Sequence, residues 1–200
     1  MATIQEWRGV RGLVAAEVIT DDADTFECGA PFAVAGVAEI ARTTESSSES
    51  HYYDNAPAVI IDSTGADEVT ITASAIPFDA LAKITGQVYD EEKGMLVEGE
   101  RENKYFAVGY ITKKTDGSEV FVWRLKGKFN IPDSTHATEN DGSDANGQEI
   151  VFTGVNTNHK FTVGGKKKTA KAVNVDTSVN AMTEETFFGT VQTPDTVTVA

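Results

Sequence analysis

Apolar and polar residues alternate over residues 67–73, with Val69, Ile71 and Ala73 on one side and Glu68, Thr70 and Thr72 on the other. A period of two predicts a strand with one face buried and the other on water or a partner. Residues 13–20 are an apolar run closed by Asp21-Asp22-Ala23-Asp24, and residues 32–40 put Phe32, Val34, Ala38 and Ile40 on one face. Both predict strands. Residues 104–112 and 119–129 carry the strongest strand pattern, and the Asp116-Gly117 turn pair between them predicts a long hairpin. In its second arm Phe121, Trp123, Leu125 and Phe129 share one face, while Arg124, Lys126 and Lys128 follow Val122 on the other and turn that face basic. Residues 148–154 and 159–163 predict a further pair of strands. One helix is firmly marked, at residues 78–85: Pro77 suits a first helical position, Gly86 suits the residue past the end, and Phe78, Leu81 and Ala82 point inward.

Two polar stretches interrupt this pattern and predict loops. Residues 43–57 contain no aliphatic side chain larger than alanine, and residues 133–149 have only Ala137 and Ala145 as apolar members. A loop of fifteen residues without a core of its own points to function or disorder rather than simple connection. Its Tyr52-Tyr53 pair sits among Ser, Glu and Asn, the setting of a binding or assembly surface; the alternative is that both tyrosines fold back on the body. Drawn out as a hairpin the segment reaches roughly 20 to 25 Å at ~3.3 Å per residue, enough to touch a neighbour. After Gly164-Gly165 come Lys166-Lys167-Lys168 and Lys171, then Val173 and Val175, then Glu184 and Glu185 in a possible first helical turn. The organisation predicted is a single β domain over residues 1–165 with a lightly attached C-terminal extension or arm over 166–200.

Composition sharpens the picture chiefly through charge. The chain has 200 residues and a formal net charge of −14. Residues 1–100 hold 19 acidic and 5 basic side chains, residues 101–200 hold 12 of each, so the whole imbalance lies in the first half. Such a field keeps a protein soluble and opposes binding of nucleic acid through phosphate neutralisation. No apolar run approaches the ~20 residues of a membrane helix. The N-terminus, Met1-Ala2-Thr3-Ile4-Gln5-Glu6, lacks the basic and apolar regions of a secretory leader, which predicts synthesis in the cytosol.

Catalytic and metal signatures are missing from the sequence. His51, His136 and His159 are far apart and fit no zinc spacing. The stretch from Asp141 to Gly147 resembles a calcium loop, but counting from its glycine puts Gly142 at the first ligand and Thr153 at the bidentate one. Asp21-Asp22-Ala23-Asp24 reads as a solvated turn. Gly164-Gly165-Lys166 lacks the leading glycine of a phosphate loop, because Lys160 stands there. Cys28, the lone cysteine, has no histidine near it in sequence and reads as a small packed residue. No catalytic, cofactor-binding or metal-ligating residue is assigned, and an enzyme is not expected.

Four segments carry a family resemblance. They are Ile76-Pro77-Phe78-Asp79-Ala80-Leu81-Ala82-Lys83-Ile84-Thr85-Gly86, Tyr89-Asp90-Glu91-Glu92-Lys93-Gly94-Met95-Leu96-Val97-Glu98, Tyr105-Phe106-Ala107-Val108-Gly109-Tyr110 and Val122-Trp123-Arg124-Leu125-Lys126-Gly127-Lys128-Phe129. In order and spacing they resemble the major tail protein (tail-tube protein) family of long-tailed bacteriophages, especially those of Gram-positive hosts. The likeness is clearest over residues 55–165 and extends to Phe187-Phe188-Gly189-Thr190-Val191 and Pro194; residues 1–42 match in pattern alone.

The resemblance implies a mainly β fold, a β-sandwich or barrel-like tail-tube domain with one flanking short helix and a long extended loop. It implies a structural virion protein that polymerises as stacked, hexameric rings into the tail tube through which DNA is ejected. The partners implied are other copies of the chain, the tape-measure protein and other tail proteins, and double-stranded DNA passing through the lumen without specific binding, with no membrane. The location implied is the virion tail, after synthesis in the bacterial cytoplasm. Glu45, Ser48, His51, Tyr52, Tyr53 and Asp54 become candidates for an assembly loop, and Arg124, Lys126 and Lys128 for a strand in contact with acidic neighbours. Other readings are a tail terminator or decoration protein, and a carbohydrate- or protein-binding β-sandwich using the Tyr52-Tyr53 loop.

Overall fold

The computed structural model describes residues 4–136, 138 and 147–198. In chain order the strands are β1 (Trp7–Asp21), β2 (Phe26–Cys28), β3 (Phe32–Ala35), β4 (Val37–Tyr53) and β5 (Ala56–Ala73), followed by helix α1 (Phe78–Thr85). Then come β6 (Val88–Asp90), β7 (Met95–Val97), β8 (Tyr105–Lys114), β9 (Glu119–Phe129), β10 (Asp133–Ser134) and β11 (Gln148–Gly154). The chain ends with β12 (Phe161–Val163), β13 (Lys166–Lys168), β14 (Ala172–Asp176) and α2 (Glu184–Gly189). Ten strands form one antiparallel sheet in the order β2-β1-β8-β9-β11-β5-β4, with β3 also on β1, β14 on β9 and β10 on β11. β6-β7 and β12-β13 are separate two-stranded ribbons. The sheet curls on itself without closing, because β4 is hydrogen-bonded to β5 alone. The fold is therefore mainly β and sandwich-like, as the sequence predicts. Among the described residues no helix is long and apolar enough to cross a membrane.

The curled sheet has two cores. Inside it, Val69 and Ile71 of β5 meet Ile150 and Phe152 of β11, Phe106 and Val108 of β8 and Phe129 of β9. Helix α1 closes this core with Leu81 and Ile84. On the outer face of β1, β8 and β9 a second core gathers Phe121, Trp123, Leu125, Ile111 and Ala107 around Phe161, Met182 and Phe187 from the C-terminal part of the chain. β8 and β9 are thus covered on both faces, which is why they read as near-continuous apolar runs.

Several predicted elements recur at the same residues, namely the alternating strand 67–73, the 105–129 hairpin and α1. Others differ. Phe129 leaves the face of Phe121, Trp123 and Leu125 and joins the inner core. The cause is a bulge: Phe106 pairs with Gly127 and Val108 with Arg124, so β9 carries one extra residue that reverses its alternation. Gly127 lies at this close approach, where a Cβ would stand 2.3 Å from Phe152 Cζ and 2.5 Å from Thr153 O. The predicted strand over residues 32–40 is broken at Gly36, whose two halves pair with opposite margins of the sheet, β3 with β1 and β4 with β5. Phe78 is 54% exposed, since α1 buries Ala80, Leu81, Ala82, Ile84 and Thr85. Pro77 occupies the N-cap, and Gly86 ends the helix in the left-handed region (φ 71°), with Glu102 O only 2.1 Å from where a Cβ would stand. The two strands predicted over 148–154 and 159–163 are present as β11 and β12, β11 pairing with β5 and β9 and β12 with β13.

The largest difference concerns residues 166–200, expected to be lightly attached. β14 extends the main sheet on β9, and α2 is capped by the Thr183 hydroxyl, which accepts from Thr186 N. Phe187 is fully buried, and its carbonyl accepts a hydrogen bond from Trp123 Nε1 at 2.9 Å.

Candidate assembly site

The polar segment 43–57, expected as a loop, is the outer end of a long antiparallel ribbon. β4 and β5 pair from Val37↔Ala73 out to Tyr53↔Ala56. Asp54 and Asn55, at φ 51° and 62°, close it as a two-residue turn with both residues left-handed, a conformation Asp and Asn tolerate and hairpin twist favours. Only the inner part belongs to the body: β5 bonds β11 from Asp67 to Ala73, and residues 56–64 have β4 as their one strand partner. Beyond a bulge between Thr44 and Ser46 the ribbon runs free for eight residues of β4, about 26 Å at ~3.3 Å per residue.

Nothing in the free part is folded away. Glu45, Ser48 and Asp54 are exposed and His51 is half-buried. Tyr52 and Tyr53 are 66% and 65% exposed, so neither folds back on the body. The structure brings these tyrosines into register with Pro57 and Ala56, and His51 with Val59. It adds three residues that the sequence reading passed over: Val59, Ile60 and Ile61, all large, apolar and mainly exposed. The signal is the apolar triplet Val59-Ile60-Ile61 that follows Pro57-Ala58, which by itself reads as a buried strand. A ribbon of Ser, Thr and Glu that carries two tyrosines, a valine and two isoleucines into solvent is an unsatisfied interaction surface.

The root of this arm is fixed by charge. Asp67 is 3% exposed and faces three donors: Arg124 Nη1 at 2.9 Å, Lys171 Nζ at 3.1 Å and Thr44 Oγ1 at 3.0 Å. Burial alone would raise its pKa; the Lys171 and Thr44 hydrogen bonds and the charges of Lys171 and Arg124 outweigh it and hold the carboxyl below its ordinary value. Lys171 Nζ also donates to Gly65 O. One carboxylate thus ties both arm strands to β9 and to the segment leading into β14.

The predicted basic face of Arg124, Lys126 and Lys128 does not exist as one surface. Arg124 turns inward to Asp67. Past the β9 bulge, Lys126 donates to Asp21 Oδ2 at 2.5 Å, and the ammonium groups of Lys126 and Lys128 lie 4.8 and 4.6 Å from the Tyr105 ring centroid. Asp21 also accepts from the backbone N–H groups of Asn158 and His159. Burial raises its pKa, and the Asn158 N–H, Lys126 and the His159 N–H more than reverse that. Asp21 therefore serves the body, not a solvated turn. The Cys28 thiol is pushed up to about 12 by burial and by the nearby charges of Asp21 and Glu27, so it is a poor nucleophile at neutral pH.

Among the described residues no group of three His, Cys, Asp or Glu side chains is placed to hold a metal ion. The calcium-like stretch lies largely outside the described residues. A groove of about 830 Å³, lined by Trp7, Val10, Ile40, Tyr110, Val122 and Arg124, follows the seam where the sheet fails to close.

No curated protein matches the chain. A family model described as phage tail tube protein matches residues 36–195, a span that holds the entire arm, α1, the β8-β9 hairpin and the C-terminal segment through α2. By that match over most of its length, the chain belongs to the phage tail tube protein family.

Proposed function

We propose that this structural tail protein assembles as stacked hexameric rings into the tube through which double-stranded DNA leaves the virion, with the β4-β5 arm as its principal contact between copies. The observation that carries this reading is the free ribbon of residues 46–64, with Tyr52, Tyr53, Val59, Ile60 and Ile61 exposed on it. Each such side chain gains roughly 1 kcal/mol or more when a neighbour covers it, and a ring repeats the gain at every subunit. The open sheet supports the same reading, because β4 offers unpaired backbone along an edge that a closed ring of copies would cover.

Glu45, Ser48, His51, Tyr52, Tyr53 and Asp54 are the assembly residues in this reading, joined by Val59, Ile60 and Ile61. Lys128 is the most exposed of the three β9 basic residues and the best placed of them to meet an acidic neighbour. The acidic side chains of the first half that lie outside the arm and are not paired within the fold would line the bore, where like charge keeps DNA from adhering as it slides. A tape-measure protein inside the tube and other tail proteins at its ends are the further partners, and synthesis takes place in the bacterial cytoplasm. Negative-stain microscopy of the concentrated protein tests the proposal. Hollow tubes or rings with a central hole are expected; discrete solid particles at every concentration would contradict it.

A further inference from the structure

The arm has a charge partner in the same fold. Residues 45–65 hold four acidic side chains, Glu45, Glu49, Asp54 and Asp62, and neither lysine nor arginine. Residues 154–175 hold five lysines, Lys160, Lys166, Lys167, Lys168 and Lys171, and neither aspartate nor glutamate. Apart from Lys171, which belongs to the Asp67 network, these lysines sit on and beside the β12-β13 ribbon.

That ribbon is a small, well-anchored platform. Phe161 is 2% exposed and packs edge-on against Phe26 with ring centroids 5.6 Å apart. Thr162 N donates to Asp195 Oδ1 at 2.8 Å. Gly164 and Gly165, at φ 60° and 74°, close the ribbon as a tight turn. Lys160, Lys166, Lys167 and Lys168 are all exposed, and Val163 beside them is 40% exposed. Among the described residues none of these four lysines, and none of the four arm acids, takes part in an ion pair within the chain. Each of the two surfaces therefore carries charge of one sign with no internal counter-charge.

We infer that the acidic arm of one copy docks on the lysine ribbon of another, so that β4-β5 and β12-β13 are the two halves of a single contact between copies. This rests on the self-assembly reading above and names the surface that the arm meets. Exposed charges of opposite sign steer the encounter and fix which surfaces meet, while Tyr52, Tyr53, Val59, Ile60 and Ile61 against Val163 supply apolar area. The contact joins two different surfaces of the subunit, and repeating it generates a ring or an open filament. Duplex DNA is the competing occupant of the lysines. The chain's net charge of −14, with an acidic arm rooted beside the ribbon at Lys171, opposes it.

Complementary charge reversal tests the contact. The first variant carries Glu45→Lys, Glu49→Lys and Asp62→Lys; the second carries Lys166→Glu, Lys167→Glu and Lys168→Glu. All six positions are exposed, and circular dichroism checks that each variant is folded. Alone, each opposes like to like, and its threshold concentration for assembly, read by light scattering, is expected to rise about tenfold or more. In an equimolar mixture the basic arm of the first meets the acidic ribbon of the second, and the acidic arm of the second meets the basic ribbon of the first. The mixture is expected to assemble within about threefold of the wild-type threshold, a recovery that misfolded chains could not give. The inference is overturned if either variant assembles alone at the wild-type threshold, or if the mixture stays dispersed. A lysine variant that assembles normally but no longer shifts duplex DNA in a gel would reassign the ribbon to DNA. A wild-type chain that never assembles would instead remove the tube reading itself, and this contact with it.

Discussion

Replacing residues 47–63 by Asn-Gly, so that the paired Ser46 and Thr64 flank a two-residue turn, is expected to give a folded protein that no longer assembles. The deleted residues belong to neither core. Their hydrogen bonds are internal to the ribbon, including the Ser47 and Ser63 hydroxyls 2.7 Å apart. Asn-Gly suits the left-handed turn that Asp54-Asn55 makes in the native tip. The unfolding free energy should therefore stay within about 0.5 kcal/mol of wild type, as for substitutions away from packed features. Assembly should fall to nothing detectable, because the exposed apolar cluster and three of the four arm acids are lost together. Sedimentation velocity and urea denaturation check the two halves of this expectation. Tubes from the shortened protein would contradict it.

Asp67→Ala is expected to be the most damaging single substitution in the body. It leaves Arg124, whose Nε is already buried without a partner, and Lys171 with no counter-charge at the arm root. Removing one member of a buried ion network typically costs about 3 to 5 kcal/mol, a large share of the ~5 to 15 kcal/mol that holds a domain together. Acid should act in the same direction. The folded pKa of Asp67 is depressed, so its contribution is present above the unfolded value near ~3.9 and is lost as pH falls through the folded value. Asp21 has the same sign through Asn158, Lys126 and His159. Wild-type stability should decline below about pH 4, and Asp67→Asn should be less stable at neutral pH with a shallower further loss in acid. Urea midpoints of the unassembled chain between neutral and acidic pH measure this. An Asp67→Ala protein within about 1 kcal/mol of wild type would mean that the network does not secure the arm root.

The parts of the fold legible in the sequence are those where local rules and the final packing agree. α1 was marked by Pro77 and Gly86, the 105–129 hairpin by Asp116-Gly117, and the 67–73 strand by clean alternation against the inner core. The arm does not show as strand in its sequence because it has no core. A ribbon with solvent on both sides gives alternation nothing to select, so Ser, Thr and Glu fill it and the stretch looks like a loop; Asp54-Asn55 was the one local sign of a turn between strands. The β9 bulge leaves no mark in the sequence, so simple alternation puts Phe129 on the face of Phe121 and Arg124, Lys126 and Lys128 on one surface. The C-terminal segment defeated pattern reading for another reason. Its few anchors, Val175, Met182 and Phe187, are spaced by irregular turns and are buried by residues far away in sequence. Charge was legible as a lopsided count, but which acids are consumed inside the fold, as Asp21 and Asp67 are, and which stay free on the arm required the structure.

Backbone exchange tests most directly whether a neighbour finishes what this chain leaves open. A two-stranded ribbon beyond the body is marginal on its own and exchanges its amides readily, whereas β8 and β9, covered on both faces, do not. Hydrogen–deuterium exchange read by mass spectrometry should show peptides from residues 46–64 fast in dilute protein and slow in assembled protein, with residues 105–129 slow in both. Arm peptides already slow in the dilute monomer, or still fast within the tube, would contradict it.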